Sequence, residues 1–301
     1  MQSFPTTEGF IPFHGYHTWY RIVGNGEEPG KLPLLVLHGG PALSHDYLEP
    51  LEVMANTGRR VIFYDQLGGG DSDHPHNPSL WTVELFVEEL DAVRKALALE
   101  RLHLLGQSWG GMLGMEYALT QPGGLVSLTI ADSAASMVQW GSELNRLRAQ
   151  LPPEVQHTLL HHEQQGTTDS EDYQDAMLVF YRRHICRVDP WPDYLMRDFE
   201  KLAKDPEVYL TMWGPSEFHI TGTLKTWDIT DRLPEITVPT LLLSGRYDEA
   251  TPILVETIHR SIPGSEWIMF ENSSHTPHVE ETERYLQVLN RFLTRVEGES
   301  S

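Results

Sequence analysis

Residues 102–120 read LHLLGQSWGGMLGMEYALT. Residues 102–105 form a short apolar run of the kind that makes a buried strand. Gly106-Gln107-Ser108-Trp109-Gly110 follows at once, a G-x-S-x-G, and 111–120 then has helical composition closed by Gln121-Pro122-Gly123. A serine on so sharp a strand-to-helix turn projects its Oγ above the sheet. The turn strains the serine backbone and crowds its neighbours, so glycines two before and two after relieve the clash. Gly111 and Gly114 let the helix lie close on the sheet. The N–H of Trp109 points to where an oxyanion would form. The plain alternative is a glycine-rich packing turn carrying an idle serine.

Outward from this turn, short apolar runs alternate with longer amphipathic stretches, the order of an α/β fold. Strands are expected at 32–37, 60–64, 102–105, 125–131, 240–244 and 266–270. Val83, Phe86, Val87, Leu90, Val93 and Leu97 share one face of a helix over 82–99. An amphipathic helix is expected at about 280–296, and 24–30 and 297–301 read as a surface loop and a frayed tail. Between 131 and 240 no buried strand is visible, and a structureless loop of that length is improbable in a compact domain. The expectation is a core made of 1–133 and 236–301, with a helical cap at 134–235 packed over it.

Two further loops belong with the serine. His38-Gly39-Gly40-Pro41 follows the first strong strand, where a second oxyanion N–H is supplied in such folds; Pro41 has no N–H, so the donor is assigned to Gly40. The triad order is serine, acid, histidine. Asp248 stands just past the 240–244 strand and His275 just past the 266–270 strand. A neutral imidazole near pH 7 suits proton transfer from Ser108 and back to a leaving group, with Asp248 fixing its tautomer. Among 15 histidines, His278 is the nearest rival to His275. His161 and His162 are adjacent and lack the helical spacing of a zinc motif. Gly68-Gly69-Gly70 fails the dinucleotide template, because its last position is Asp73, and it reads as a tight turn.

Composition bounds the partners. The 301 residues carry 22 Lys+Arg against 43 Asp+Glu, a formal charge of −21. So acidic a chain is repelled by phosphate backbones and anionic lipid, which excludes nucleic acid and membrane surfaces as expected partners. No apolar run approaches the ~20 residues of a membrane span. The start lacks a basic and then apolar leader. With Cys186 as the one cysteine, a reducing, cytoplasmic setting is expected.

These residues resemble the proline iminopeptidases of the α/β-hydrolase fold. The resemblance rests on LHGGP (37–41), SHDYL (44–48), FYDQLGGG (63–70), GQSWGG (106–111), WGPSEFHITGTLKTWD (213–228) and GRYDEATP (245–252). It spans nearly the whole chain and is weakest over 142–210. It implies an α/β-hydrolase core with a mostly parallel sheet, an inserted helical cap, and no metal or organic cofactor. It also implies that Glu217 and Glu249 bind the free α-amino group of a small peptide or amino-acid amide. An N-terminal ammonium is recognised by desolvated carboxylates, which leave an internal amide unrewarded. Trp109, Trp213 and Phe218 are expected to wall an apolar pocket. The implied activity is release of an N-terminal residue, preferably proline, through an acyl-enzyme. The alternatives are an amidase or esterase using the same triad on an amino-acid amide or a secondary metabolite, and a non-catalytic binding protein. Two positions depart from the family pattern: Ala42 where glycine usually follows HGGP, and Gln107 where glycine or serine precedes the nucleophile.

Overall fold

The computed structural model describes residues 4–299. Its centre is one sheet of β1 (Thr6–Phe13), β2 (Tyr16–Val23), β3 (Leu34–Leu37), β4 (Val61–Tyr64), β5 (Leu102–Gln107), β6 (Leu125–Ala131), β7 (Thr240–Gly245) and β8 (Glu266–Phe270). Their order is β1-β2-β4-β3-β5-β6-β7-β8. The β1–β2 and β2–β4 pairs are antiparallel and the rest parallel, the mostly parallel α/β sheet expected.

The parallel strands are apolar throughout because both faces are covered. Leu35 and Leu37 of β3 pack on one side, and Leu34 and Val36 on the other. The first side is filled by α1 (Val83–Ala96), α2 (Trp109–Leu119) and α8 (Pro252–Ser261). The second takes α10 (Thr282–Glu299) and the 3₁₀ turns of Asp46–Thr57. A Thr82 hydroxyl accepting from Leu85 N–H at 3.2 Å starts α1. Between β6 and β7 lie α3 (Met137–Arg148), α4 (Pro153–Gln165), α5 (Glu171–His184), α6 (Asp193–Lys204) and α7 (Glu207–Met212). The short α9 (Pro277–Glu280) precedes α10.

Two sequence expectations need correction. The β1–β2 hairpin is not among the expected strands: β1 is the outer strand, mostly exposed, and carries Gly9 and Pro12. Its signal is alternation too weak to stand out from a loop. The expected frayed tail is ordered as far as Glu299 and holds a buried ion pair, Glu297 Oε1 with Arg59 Nη1 at 2.9 Å; Ser300 and Ser301 of that tail lie outside the described residues. Among the described residues no helix is long and apolar enough to cross a membrane.

Candidate active site

All the loops at issue leave the carboxyl edge of the parallel strands, where such sheets place ligands. The turn after β5 is as sharp as its sequence demands. Ser108 has φ 57° and ψ −123°, a strained conformation for a residue with a side chain. A Cβ on Gly106 would fall 2.0 Å from the Gly110 carbonyl oxygen, and one on Gly110 would fall 2.3 Å from that of Leu37. No larger residue fits either place.

Gly40 lines the same cavity as Ser108. Among the described residues, neither the Gly40 N–H nor the Trp109 N–H donates to a protein backbone acceptor. Ala42, one of the departures from the family pattern, is buried with φ 64°. Here an L-residue holds a left-handed backbone that glycine adopts freely.

His275 also lines that cavity. Its Nδ1–H donates to Asp248 Oδ1 at 2.6 Å, and the same oxygen accepts from Ala250 N–H at 2.8 Å. His278 does not compete. It is buried, donates from Nε2 to the Tyr47 carbonyl at 3.1 Å, and burial drives its pKa down to about 3. So Ser108, Asp248 and His275 are brought to one rim of the sheet.

Three supporting residues escaped sequence reasoning. Asp132 directly follows β6 and accepts from Gly245 N–H at 3.2 Å through Oδ1. Asp132 Oδ2 and Asp248 Oδ2 are both buried with no conventional partner. Burial, and then the neighbouring Asp248 charge, push the Asp132 carboxyl well above its usual range, so it holds the proton that the two acids share. An acid at the end of a strand beside the triad-acid strand was the available signal. Tyr47 stands in the quoted SHDYL segment. Its hydroxyl accepts from Gly39 N–H at 2.7 Å and donates to Gln107 Oε1, whose Nε2 donates to the His275 carbonyl at 2.9 Å. The departure at Gln107 therefore links three loops. His184, at the end of α5, accepts the His275 N–H on its carbonyl at 3.1 Å and donates from Nδ1 to the Tyr247 carbonyl at 2.8 Å. Nothing in the sequence marks it.

Glu217 and Glu249 come together although the chain separates them widely. Glu249 is fully buried, both its oxygens lack a hydrogen-bond partner, and Oε1 lies 3.7 Å from His275 Nε2. Glu217 opens on the cavity and accepts from Tyr209 O–H at 2.6 Å. Burial raises the pKa of both, and for Glu249 the charge of Glu217 adds to it. The fully buried Glu249 and the half-buried Glu217 thus stand together, an arrangement of carboxylates that suits a positive group.

Trp109, Trp213 and Phe218, the aromatic residues expected around the pocket, are not among the residues that line this cavity, although Trp213 Nε1 donates to the Glu217 carbonyl at 3.2 Å. The Trp109 indole is in the core, donating to Gln66 Oε1 at 2.7 Å and meeting Phe86 edge-on. Trp213 packs edge-on against Trp140 at 5.1 Å, and Phe218 packs on Phe180 at 5.1 Å. The cavity wall is supplied instead by α5, α6 and α7, and the cavity measures about 630 Å³. His45, Asp65 and Asp71 are the one grouping with metal-ligand spacing among the described residues. There Asp65 already accepts from the His45 and Asp71 backbone N–H groups, both at 2.8 Å, as a hydrogen-bonded turn does.

Known proteins match this chain along its length. The family model for the alpha/beta hydrolase fold matches residues 33–282. A proline iminopeptidase of Clostridium botulinum is 42% identical over 292 residues, covering 96% of this chain and 98% of that protein. One from Saccharolobus solfataricus is 39% identical, covering 98% and 94%. Among solved structures, that of VinJ superposes with TM-score 0.94 at 47% identity, covering 96% of this chain and 99% of the other. That of a proline iminopeptidase from Mycobacterium smegmatis superposes with TM-score 0.91 at 43% identity, covering 98% and 100%.

Proposed function

The chain belongs to the proline iminopeptidase family of the α/β hydrolase fold, and from that premise we propose that it releases the N-terminal residue, preferably proline, from a small peptide or amino-acid amide. Ser108 Oγ attacks the carbonyl carbon while His275 Nε2 takes its proton. Asp248 accepts from Nδ1–H and stabilises the imidazolium. The Gly40 and Trp109 N–H groups receive the tetrahedral oxyanion. His275 returns the proton to the departing amine, and a water activated by the same imidazole then cleaves the acyl-enzyme. We read 134–235 as a cap roofing this site, and a cytoplasmic setting from the single, buried Cys186.

The observation that carries this reading is the Glu217–Glu249 pair beside His275. Its raised pKa values give the pH sign. In acid both carboxyls are neutral and hold an ammonium weakly; as pH rises the pair ionises and binds it. KM for a prolyl substrate therefore falls with rising pH, and KM for an acyl ester without an amine does not change with it.

The test compares prolyl-anilide, other aminoacyl-anilides and simple acyl esters. Glu249→Gln lowers kcat/KM on prolyl-anilide by about 10²–10³-fold, the cost of leaving one charge of a buried pair unmatched, while a fluorophosphonate still labels the protein. Ser108→Ala loses that labelling and about 10⁴–10⁶ in rate. Turnover of amine-free esters with none of aminoacyl substrates would overturn the ammonium assignment.

A further inference from the structure

The cavity in front of Ser108 is far larger than one aminoacyl group requires. At about 630 Å³ it lies in the range that holds an entire drug-sized ligand. Ser108, His275 and Glu217 line it, with further polar side chains such as Thr168, Gln174 and Asp198 among the lining residues. The rest is a wall of Met177, Tyr181, Phe199, Leu202 and Leu210 from α5, α6 and α7. Among the described residues, no lysine or arginine contributes to the lining. The buried Asp198 on this wall is no charge either: burial pushes its carboxyl to about 8, Oδ1 accepts from Ser44 N–H at 2.6 Å, and Oδ2 lacks a partner. The exposed Asp169 also contributes to the lining, and the chain as a whole carries −21.

We propose that the long apolar part of the cavity is a leaving-group site, which makes the preferred substrate an aminoacyl amide whose amine component is bulky, apolar and free of a carboxylate. This rests on the function proposed above, in which the carboxylate pair fixes the ammonium of a single N-terminal residue. That constraint limits the acyl part to one residue, so the remaining volume belongs to the amine side of the scissile bond. A dipeptide does not suit it. Its terminal carboxylate would sit in an apolar wall without a cation, against acidic neighbours, and would lose hydration that nothing there replaces. An alkyl or ring-bearing amine loses only its apolar hydration.

The experiment holds the acyl residue constant as proline and measures kcat/KM for prolyl-methylamide, -butylamide and -octylamide, which share leaving-group chemistry, and for the dipeptide prolyl-glycine. A second arm holds the amine constant and varies the acyl residue through alanine, proline, leucine and phenylalanine. The expected result is a rise of about two- to fourfold per added methylene, at least ~100-fold from methyl to octyl, with prolyl-glycine at or below the methylamide. Leu202→Lys is expected to shrink the octyl-to-methyl ratio by at least about tenfold, since it sets an ammonium in the wall. Equal kcat/KM across the amides, or a dependence on the acyl side chain with none on the amine, overturns the assignment. Failure to cleave any substrate bearing a free amine, with esters still hydrolysed, strikes at the parent reading itself and removes this one with it.

Discussion

Gln107 shows how one side chain holds separate loops in a common frame. Through Tyr47 it reaches the Gly39 N–H, and through Nε2 it reaches the His275 carbonyl. A small residue there would leave the oxyanion loop, the nucleophile turn and the histidine loop without this brace. Gln107→Leu strands buried polar groups on both sides, a loss of about 1–3 kcal/mol. The expected kinetic signature is a kcat lowered about 10- to 100-fold with KM nearly unchanged, and Gln107→Glu does not rescue it because it removes the donor to His275. Asp132 is the second such case. With Asp132 holding the shared proton, Asp132→Asn reproduces both its accepted bond from Gly245 and its donation to Asp248. Activity within about threefold of wild type and an unshifted pH–rate profile are expected. Asp132→Ala removes the donor, and its kcat falls. A displaced pH limb in the asparagine variant would show that Asp132 carries the charge instead. Ser108, Asp248 and His275, the residues proposed to react, stand out in the sequence because each follows a strand in a recognisable pattern. Gln107 stands out there only as an oddity, because its partners, Tyr47 and the His275 carbonyl, are distant in the chain.

At the scale of elements, α5 is both a wall of the cavity and an anchor for the loops that carry Asp248 and His275. Its last residue, His184, joins the loop bearing Asp248 to the loop bearing His275. Burial lowers the His184 pKa, so the ring is neutral at physiological pH and its Nδ1–H bond to Tyr247 needs no charge. His184→Ala is expected to lower kcat about 3- to 10-fold, on the order of the ~1 kcal/mol of one hydrogen bond, with little change in KM. His184→Asn, which keeps a side-chain donor, recovers part of it. Equal losses in both variants would make the role one of packing. The parallel strands and α1, unlike the β1–β2 hairpin, were legible in the sequence because burial on two faces, or on one, imposes a period. The helices between β6 and β7 were legible only as a helical region. Their order and contacts depend on aromatic packing between distant residues, such as Trp140 with Trp213, which no local period encodes.

For the whole molecule, the end of the chain closes the fold. Glu297 meets Arg59 and Lys31, accepts from Leu32 N–H at 3.0 Å, and receives a hydrogen bond from His103. Burial would raise its pKa; the His103 bond and the Arg59 charge outweigh that and bring it to about 2. A carboxyl depressed on folding stabilises above its unfolded pKa, near 4.3, and that contribution drains away as pH falls through about 2. Glu297→Gln is therefore expected to cost about 2–4 kcal/mol at pH 7, and its gap from wild type in urea unfolding should narrow from about pH 4 downward. A gap constant with pH would assign the loss to shape alone. This lock was invisible in the sequence, where a polar terminus gives no sign that it will be buried. The joint between α5 and His275 has a different consequence. Rotating α5 away from the sheet would have to break the His184–His275 backbone bond or carry the imidazole's own backbone with it. Thr168 and Asp169, in the turn between α4 and α5, line the same cavity as Ser108, so the segment that joins two helices of the insertion helps to bound the space in front of the serine.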